Sequence, residues 1–418
     1  MIPPLRVPGD KSISHRALML AALGRGRSRV RGLLRSADVH STAAVLRALG
    51  ATIPDLAAPV LEIDGLGLRG LRASALALDC GNSGTTTRLM AGVVAGAGIT
   101  ARFEGDASLS ARPMRRVAAP LEAMGARVEL PVGGGLPMIV HGAALHGITW
   151  RAEVASAQVK SAILLAGLVA NVPVEIHEPA ATRDHTERML RARGVDVRTE
   201  GLLVTLLPSA RLDAGEIDVP GDPSSAAFFV GAAAIGVAPE VALENVGINS
   251  GRTGAFHVLR RMGVVLRYEQ EVEQGGEPVA TIIASAGTLR GTTIVPEEVP
   301  SLIDELPLIA CVAACAEGET RVTGAGELRV KESDRIKATV DNLRAVGVDA
   351  EELPDGFVVR GGRHPLAGHV ITHADHRIAM AFGVLGALRG NAITLDDPSC
   401  VAVSYPTFWD DLAHVRRG

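Results

Sequence analysis

PGDPSSAAFFVGAAA, residues 220–234, repeats the plan of PGDKSISHRALMLAA, residues 8–22, in the opposite half of a 418-residue chain. Both open on Gly-Asp, a turn followed by an N-cap signal, and run into an apolar helical stretch. GDASLSARP, residues 105–113, is a third and weaker echo. A chain whose second half restarts is expected to hold two like domains, and 418 residues exceed what one ordinary core organises. The interdomain crossings fall near Pro8–Asp10 and Pro220–Asp222. One domain is therefore expected over residues 10–221, and the second over 1–9 and 222–418.

Within each half a shorter motif recurs. A helix-like segment ends Leu-x-x-x-Gly and a strand-like run follows: Leu46–Gly50 then ATI, Leu121–Gly125 then ARVEL, Leu190–Gly194 then VDVRTE, Leu259–Gly263 then VVLRY, Leu343–Gly347 then VDAEE. A glycine just past a helix takes the left-handed cap, and the apolar, β-branched run after it reads as a strand. A final helix, PTFWDDLAHV, ends the chain. The pattern predicts six α/β units, three per domain. Helices are expected over 12–24, 39–49, 83–97, 113–124, 157–170 and 182–193 in the first half.

Composition narrows the function. The net charge is −4, with two Trp and two Tyr, which does not suit nucleic-acid binding. No apolar run reaches the roughly 18 residues that span a bilayer. MIPPLRVPGDKS carries no apolar signal segment, so a cytoplasmic location is expected. Cys80, Cys311, Cys315 and Cys400 lack the paired spacing of a metal site and read as buried thiols. Of 42 Lys and Arg, four are lysines: Lys11, Lys160, Lys331 and Lys337. Where Lys persists in an Arg-rich chain, a compact ammonium is expected to matter.

Charged and hydroxyl groups gather at predicted helix starts. In PGDKSISHR (8–16), Lys11, Ser12 and Arg16 form an anion-binding set. DCGNSGTTTR (79–88) crowds small residues at a strand-to-helix turn, with Gly84 allowing close backbone approach. In GDASLSARPMRRV (105–117), Arg112 precedes Pro113, expected at the first helical position. SAQVKS (156–161) places Ser156 and Gln158 at the head of an apolar helix, where Lys160 is costly unless partnered. Asp304 and Glu305 interrupt SLIDELP before an Ala-rich helix; the carboxylate is a candidate general base or else a plain N-cap. ELRVKESDRI (327–336) carries Lys331, Glu332 and Arg335, a run that by itself reads as a solvated helix face. ADHRIAMAF (374–382) sets Asp375, His376 and Arg377 at the start of a core helix. Together these describe a cleft between two domains that binds anionic substrates.

The motifs PGDKSISHR, GNSGTTTR, GDASLSARPM, SAQVKSAILLAGL, TRDHTE, LIDELP, LRVKESDRI and DHRIAMAF stand in the order found in the EPSP synthases, which the chain resembles over about residues 5–412. The resemblance implies an α/β fold of two domains, each of three βαβαββ units around a pseudo-threefold axis, an inside-out α/β barrel. It implies transfer of the enolpyruvyl group of phosphoenolpyruvate to shikimate 3-phosphate, with no metal or organic cofactor. Lys11, Ser12, Arg16, Ser156, Gln158, Asp304 and Lys331 match shikimate-phosphate contacts, and Arg183 matches one used in some branches. Lys11 and Gln158 also reach toward phosphoenolpyruvate. Gly84, Arg112, Arg335 and Arg377 match phosphoenolpyruvate contacts. Asp304 matches the base for the 5-hydroxyl and Glu332 the group that protonates the enol methylene. A monomer inhibited by glyphosate is implied. The chain departs from the pattern at Ala157, Glu327 and Val403, the last standing where one branch has a phosphoenolpyruvate-binding Lys. The related transferases acting on sugar nucleotides use a loop Cys that GDASLSARPM lacks. A non-catalytic repeat protein would not need these charges, and an RNA-processing protein would need more aromatics.

Overall fold

The computed structural model describes residues 4–209, 211–362 and 365–417. They form two compact units: residues 9–219 with 274–277, and the described residues of 4–8, 220–273 and 278–417. Each unit has its own hydrophobic core.

Three helices fill the centre of each core. In the first unit they are Lys11–Leu23, Gly84–Ala97 and Ala157–Ala170. In the second they are Pro223–Ala234, Leu306–Ala314 and His376–Ala387. All are apolar on nearly every side, as a helix surrounded by protein must be. Small residues let them approach closely. A Cβ at Gly92 would lie 2.1 Å from the carbonyl oxygen of Ala162, and one at Gly96 would lie 2.6 Å from that of Ala166.

Sheets wrap these helices, three to a unit among the described residues. One order recurs: a parallel pair, then two antiparallel partners. Leu78–Asp79, Thr100–Glu104, Met138–His141 and Arg127–Glu129 follow it. So do Ile148–Arg151, Val174–His177, Leu203–Leu206 and Val197–Glu200. Thr293–Ile294, Glu319–Val322, Gly356–Arg360 and Asp349–Leu353 repeat it in the second unit. Arg25–Arg31 takes its parallel neighbour from Glu216–Asp218, late in the same unit. Alternation places one face of each sheet on the core. The outward face of Arg25–Arg31 carries Arg27 opposite Asp64 and Arg29 opposite Glu62. With helices inside and sheets outside, this is the expected inside-out α/β arrangement.

Local differences from the sequence reading have plain causes. The helix expected from Pro113 begins at Arg115, because Asp106 caps a separate turn, Ala107–Ser110, just before it. Lys331 and Glu332 precede their helix rather than lying on its face, since Asp334 caps Arg335–Ala345. The helix begun in SLIDELP has nine residues and starts at Leu306; Asp304 sits in the 3₁₀ turn Ile303–Glu305 before it, and Glu305 holds the N-cap position. All four cysteines are free, and Cys315 is half-buried rather than buried.

Candidate active site

In the first unit the predicted groups meet at the N-termini of the central helices. Asp10 caps Lys11–Leu23 by accepting from the Ile13 amide at 2.8 Å. Ser83 caps Gly84–Ala97, and Ser156 caps Ala157–Ala170. Exposed amides and the positive ends of three helix dipoles suit anions.

Side chains knit these ends together. Gln158 donates to Thr85 Oγ1 at 2.9 Å and accepts from Arg88 Nη1 at 2.7 Å. Arg112 Nη2 donates to Asn82 Oδ1 at 2.9 Å. Lys11 Nζ lies 3.0 Å from Asp38 Oδ2. Burial, then repulsion from Arg112 and Arg116, brings the Arg88 guanidinium down to about 10. Gly84 is buried beneath these cations: a Cβ there would stand 2.8 Å from Arg88 Nη1 and 3.6 Å from Arg112 Nη1.

Arg16 lies deeper than its motif suggests, at 4% exposure. Its Nε donates to Thr186 at 2.7 Å, its Nη2 to Ser161 at 2.7 Å, and its Nη1 to the Ser12 carbonyl at 2.8 Å. Burial lowers its pKa to about 10; Glu187 opposes the shift and nearby Arg183 adds to it. Below the helix ends, His15 Nδ1, Thr42, Thr86 and Ser83 form a buried polar chain at 2.6, 2.6 and 2.7 Å.

In the second unit one buried guanidinium organises three carboxylates. Arg335, 2% exposed, reaches Asp375 through Nε at 2.8 Å, Glu332 through Nη2 at 2.7 Å and Asp304 through Nη1 at 3.3 Å. Lys331 Nζ approaches the same Asp304 oxygen at 3.5 Å. Burial works against the Arg335 charge, but Asp375 and Glu332 more than reverse it and raise the pKa. Burial likewise opposes the Asp375 charge, yet Arg335 holds that carboxyl below the usual range. Asp375 also caps its helix by accepting from the Arg377 amide, and Arg377 Nη1 meets Glu305 at 3.2 Å. Val403 is 37% exposed and offers no charge.

The structure thus gathers Lys11, Ser12, Gly84, Arg112, Ser156 and Gln158 on one unit, with Arg16 beneath them and Arg183 near Arg16. It gathers Asp304, Lys331, Glu332 and Arg335 on the other, with Arg377 beside Asp375. Asp38 and Asn82, which hold Lys11 and Arg112, were not singled out by sequence reasoning, whereas Arg88 and Glu305 stood inside motifs that were. Each partner is distant along the chain, so only Arg88, inside GNSGTTTR, and Glu305, inside SLIDELP, carried a local signal.

An inside-out α/β chain presenting basic helix ends and a carboxylate–guanidinium cluster belongs with the enolpyruvyl transferases in fold. The enolpyruvyl transferase NikO from Streptomyces tendae superimposes with a TM-score of 0.76 at 19% identity, covering 99% of this chain and 94% of that one, a likeness of fold alone. An EPSP synthase from Acinetobacter baumannii superimposes with a TM-score of 0.89 at 44% identity, over 98% of this chain and 94% of that one. The 3-phosphoshikimate 1-carboxyvinyltransferase of Alkalilimnicola ehrlichii is 50% identical over 405 residues, 97% of this chain and 91% of the relative. That of a Sulfurihydrogenibium species is 47% identical over 99% of this chain and 97% of its own. The family model of EPSP synthase (3-phosphoshikimate 1-carboxyvinyltransferase) matches residues 4–412. The chain belongs to this family.

Proposed function

We propose that this chain transfers the enolpyruvyl group of phosphoenolpyruvate to the 5-hydroxyl of shikimate 3-phosphate, releasing phosphate, with its two sets of site residues acting on one substrate pair. Asp304 takes the hydroxyl proton as the oxygen adds to the enol carbon of phosphoenolpyruvate. Glu332 gives a proton to the methylene carbon, completing a tetrahedral intermediate. Loss of a methyl proton and of phosphate then restores the double bond in the product. Two carboxylates divide the proton transfers.

Lys11, Ser12, Arg16, Ser156, Gln158 and Lys331 contact shikimate 3-phosphate, and Arg183 contacts its phosphate. Arg112, Arg335 and Arg377 bind the phosphoenolpyruvate anion, as does the backbone at Gly84. The enzyme serves aromatic biosynthesis in the cytoplasm, acts as a monomer, and is inhibited by glyphosate. No helix of the described residues is long and apolar enough to cross a membrane.

The observation that carries this reading is the Asp304 carboxylate, 3.5 Å from Lys331 Nζ and 3.3 Å from Arg335 Nη1. Asp304→Asn should leave shikimate 3-phosphate binding, read by calorimetry, nearly intact while lowering turnover by about 10²-fold or more. Turnover within a few-fold of the parent would make Asp304 a structural group.

A further inference from the structure

Lys160 stands in the SAQVKS motif but has no part in the chemistry above. It is buried, with its side chain 3% exposed, in the first turn of a core helix. Its Nζ lies 2.8 Å from Glu178 Oε2 and 2.7 Å from Glu187 Oε1, and those side chains are 6% and 1% exposed. An ion cluster this deep is expensive to desolvate, and apolar side chains of like volume would fill the space at lower cost. Its persistence calls for a use beyond stability.

The cluster's connections supply one. Glu178 spends its other oxygen, Oε1, on the hydroxyl of Thr182. Thr182 immediately precedes Arg183, so the ammonium of Lys160 fixes the carboxylate that fixes the backbone carrying Arg183. Through Glu187 the same ammonium holds the helix His185–Arg191. That helix presents Thr186, which accepts from Arg16 Nε at 2.7 Å and donates to Ser161 Oγ at 2.7 Å. Arg16 in turn donates to the Ser12 carbonyl. Arg183 and Ser12 therefore share one buried polar brace with Lys160 at its centre. Arg183 is also close enough to Arg16 for its charge to help lower the Arg16 pKa.

We infer that Lys160, Glu178, Glu187 and Thr182 are positioning residues that set Arg183 for the phosphate of shikimate 3-phosphate. This rests on the reading of Arg183 as a phosphate contact. Both are tested by a double-mutant cycle on Thr182, which is only half-buried and should be replaced without unfolding the chain. Thr182→Val, which removes the hydroxyl, should raise the KM for shikimate 3-phosphate about fivefold while leaving kcat and the KM for phosphoenolpyruvate near the parent values. Thr182→Ser, which keeps it, should restore the parent KM. In an Arg183→Ala background Thr182→Val should have no further effect. Lys160→Met should move the KM in the same direction if it folds, and the Thr182 series decides the matter if it does not. If Arg183→Ala alone leaves the KM unchanged, the contact reading fails. If Arg183→Ala raises the KM and Thr182→Val does not, or if the two effects simply add, the brace does not position Arg183.

Discussion

At Gly84 the missing Cβ has a definite consequence. The nearest group a methyl would meet is Arg88 Nη1, at 2.8 Å, and that nitrogen is already bonded to Gln158. The end of a flexible side chain can shift, so Gly84→Ala should fold while pushing Arg88 and Gln158 toward the anion pocket. Overpacking of this kind typically costs about 1–3 kcal/mol. Glyphosate is longer than phosphoenolpyruvate and should suffer more. Gly84→Ala should raise the inhibition constant for glyphosate by a larger factor than the KM for phosphoenolpyruvate, measured in the same steady-state assay; equal factors would refute discrimination by length. Lys331 gives a second test at this scale. Its ammonium reaches Asp304 as a point charge from a half-buried position. A planar guanidinium places its donors differently, so Lys331→Arg should lower kcat/KM by roughly tenfold or more despite keeping the charge. Near-parent kinetics would mean that four lysines among 42 basic residues reflect composition alone.

At the scale of elements the sequence was most legible where backbone geometry dictates residue type. The five Leu-x-x-x-Gly motifs end as one structure. Gly50, Gly125, Gly194, Gly263 and Gly347 all have positive φ, between 78° and 110°. In each, the residue after Gly donates its amide to the carbonyl of the motif's Leu: Ala51 to Leu46, Ala126 to Leu121, Val195 to Leu190, Val264 to Leu259 and Val348 to Leu343. This is the Schellman closure, which a glycine permits and a side chain strains. Illegible were the polar contacts between helices, because nothing in sequence spacing links Lys160 to Glu178 and Glu187, or His15 to Thr42 and Thr86. The second case makes a prediction. Burial brings His15 down to about 3, with Asp38 opposing and Lys11 and Arg16 assisting. The folded chain thus keeps His15 neutral where the unfolded chain, near its ordinary 6.5, binds a proton. Stability should be full above that pH and fall as pH drops toward the folded value, with a slope of about 1.4 kcal/mol per pH unit from this group. Denaturant unfolding of the parent and of His15→Gln between pH 6 and 4 should show that slope as a difference between the two. Parallel curves would contradict it.

For the whole molecule, the restart at Pro220 and the six-fold count of units were readable because repeated turns and caps mark each unit. The placing of several motifs at helix starts was readable because capping residues mark them. The hub role of Arg335 was not, since a run of alternating charge gives no sign that its arginine will be 2% exposed and shared by three carboxylates. Those carboxylates lie in the second unit, and the helix starts that carry Lys11, Gly84 and Gln158 lie in the first. The proposed reaction requires both substrates together, with shikimate 3-phosphate as the acceptor. Phosphate release followed continuously by a coupled assay tests this most directly. Phosphoenolpyruvate with shikimate 3-phosphate should release phosphate in step with loss of both substrates, and phosphoenolpyruvate alone or with a UDP-sugar should release none. Release with the UDP-sugar, or none with shikimate 3-phosphate, would contradict it.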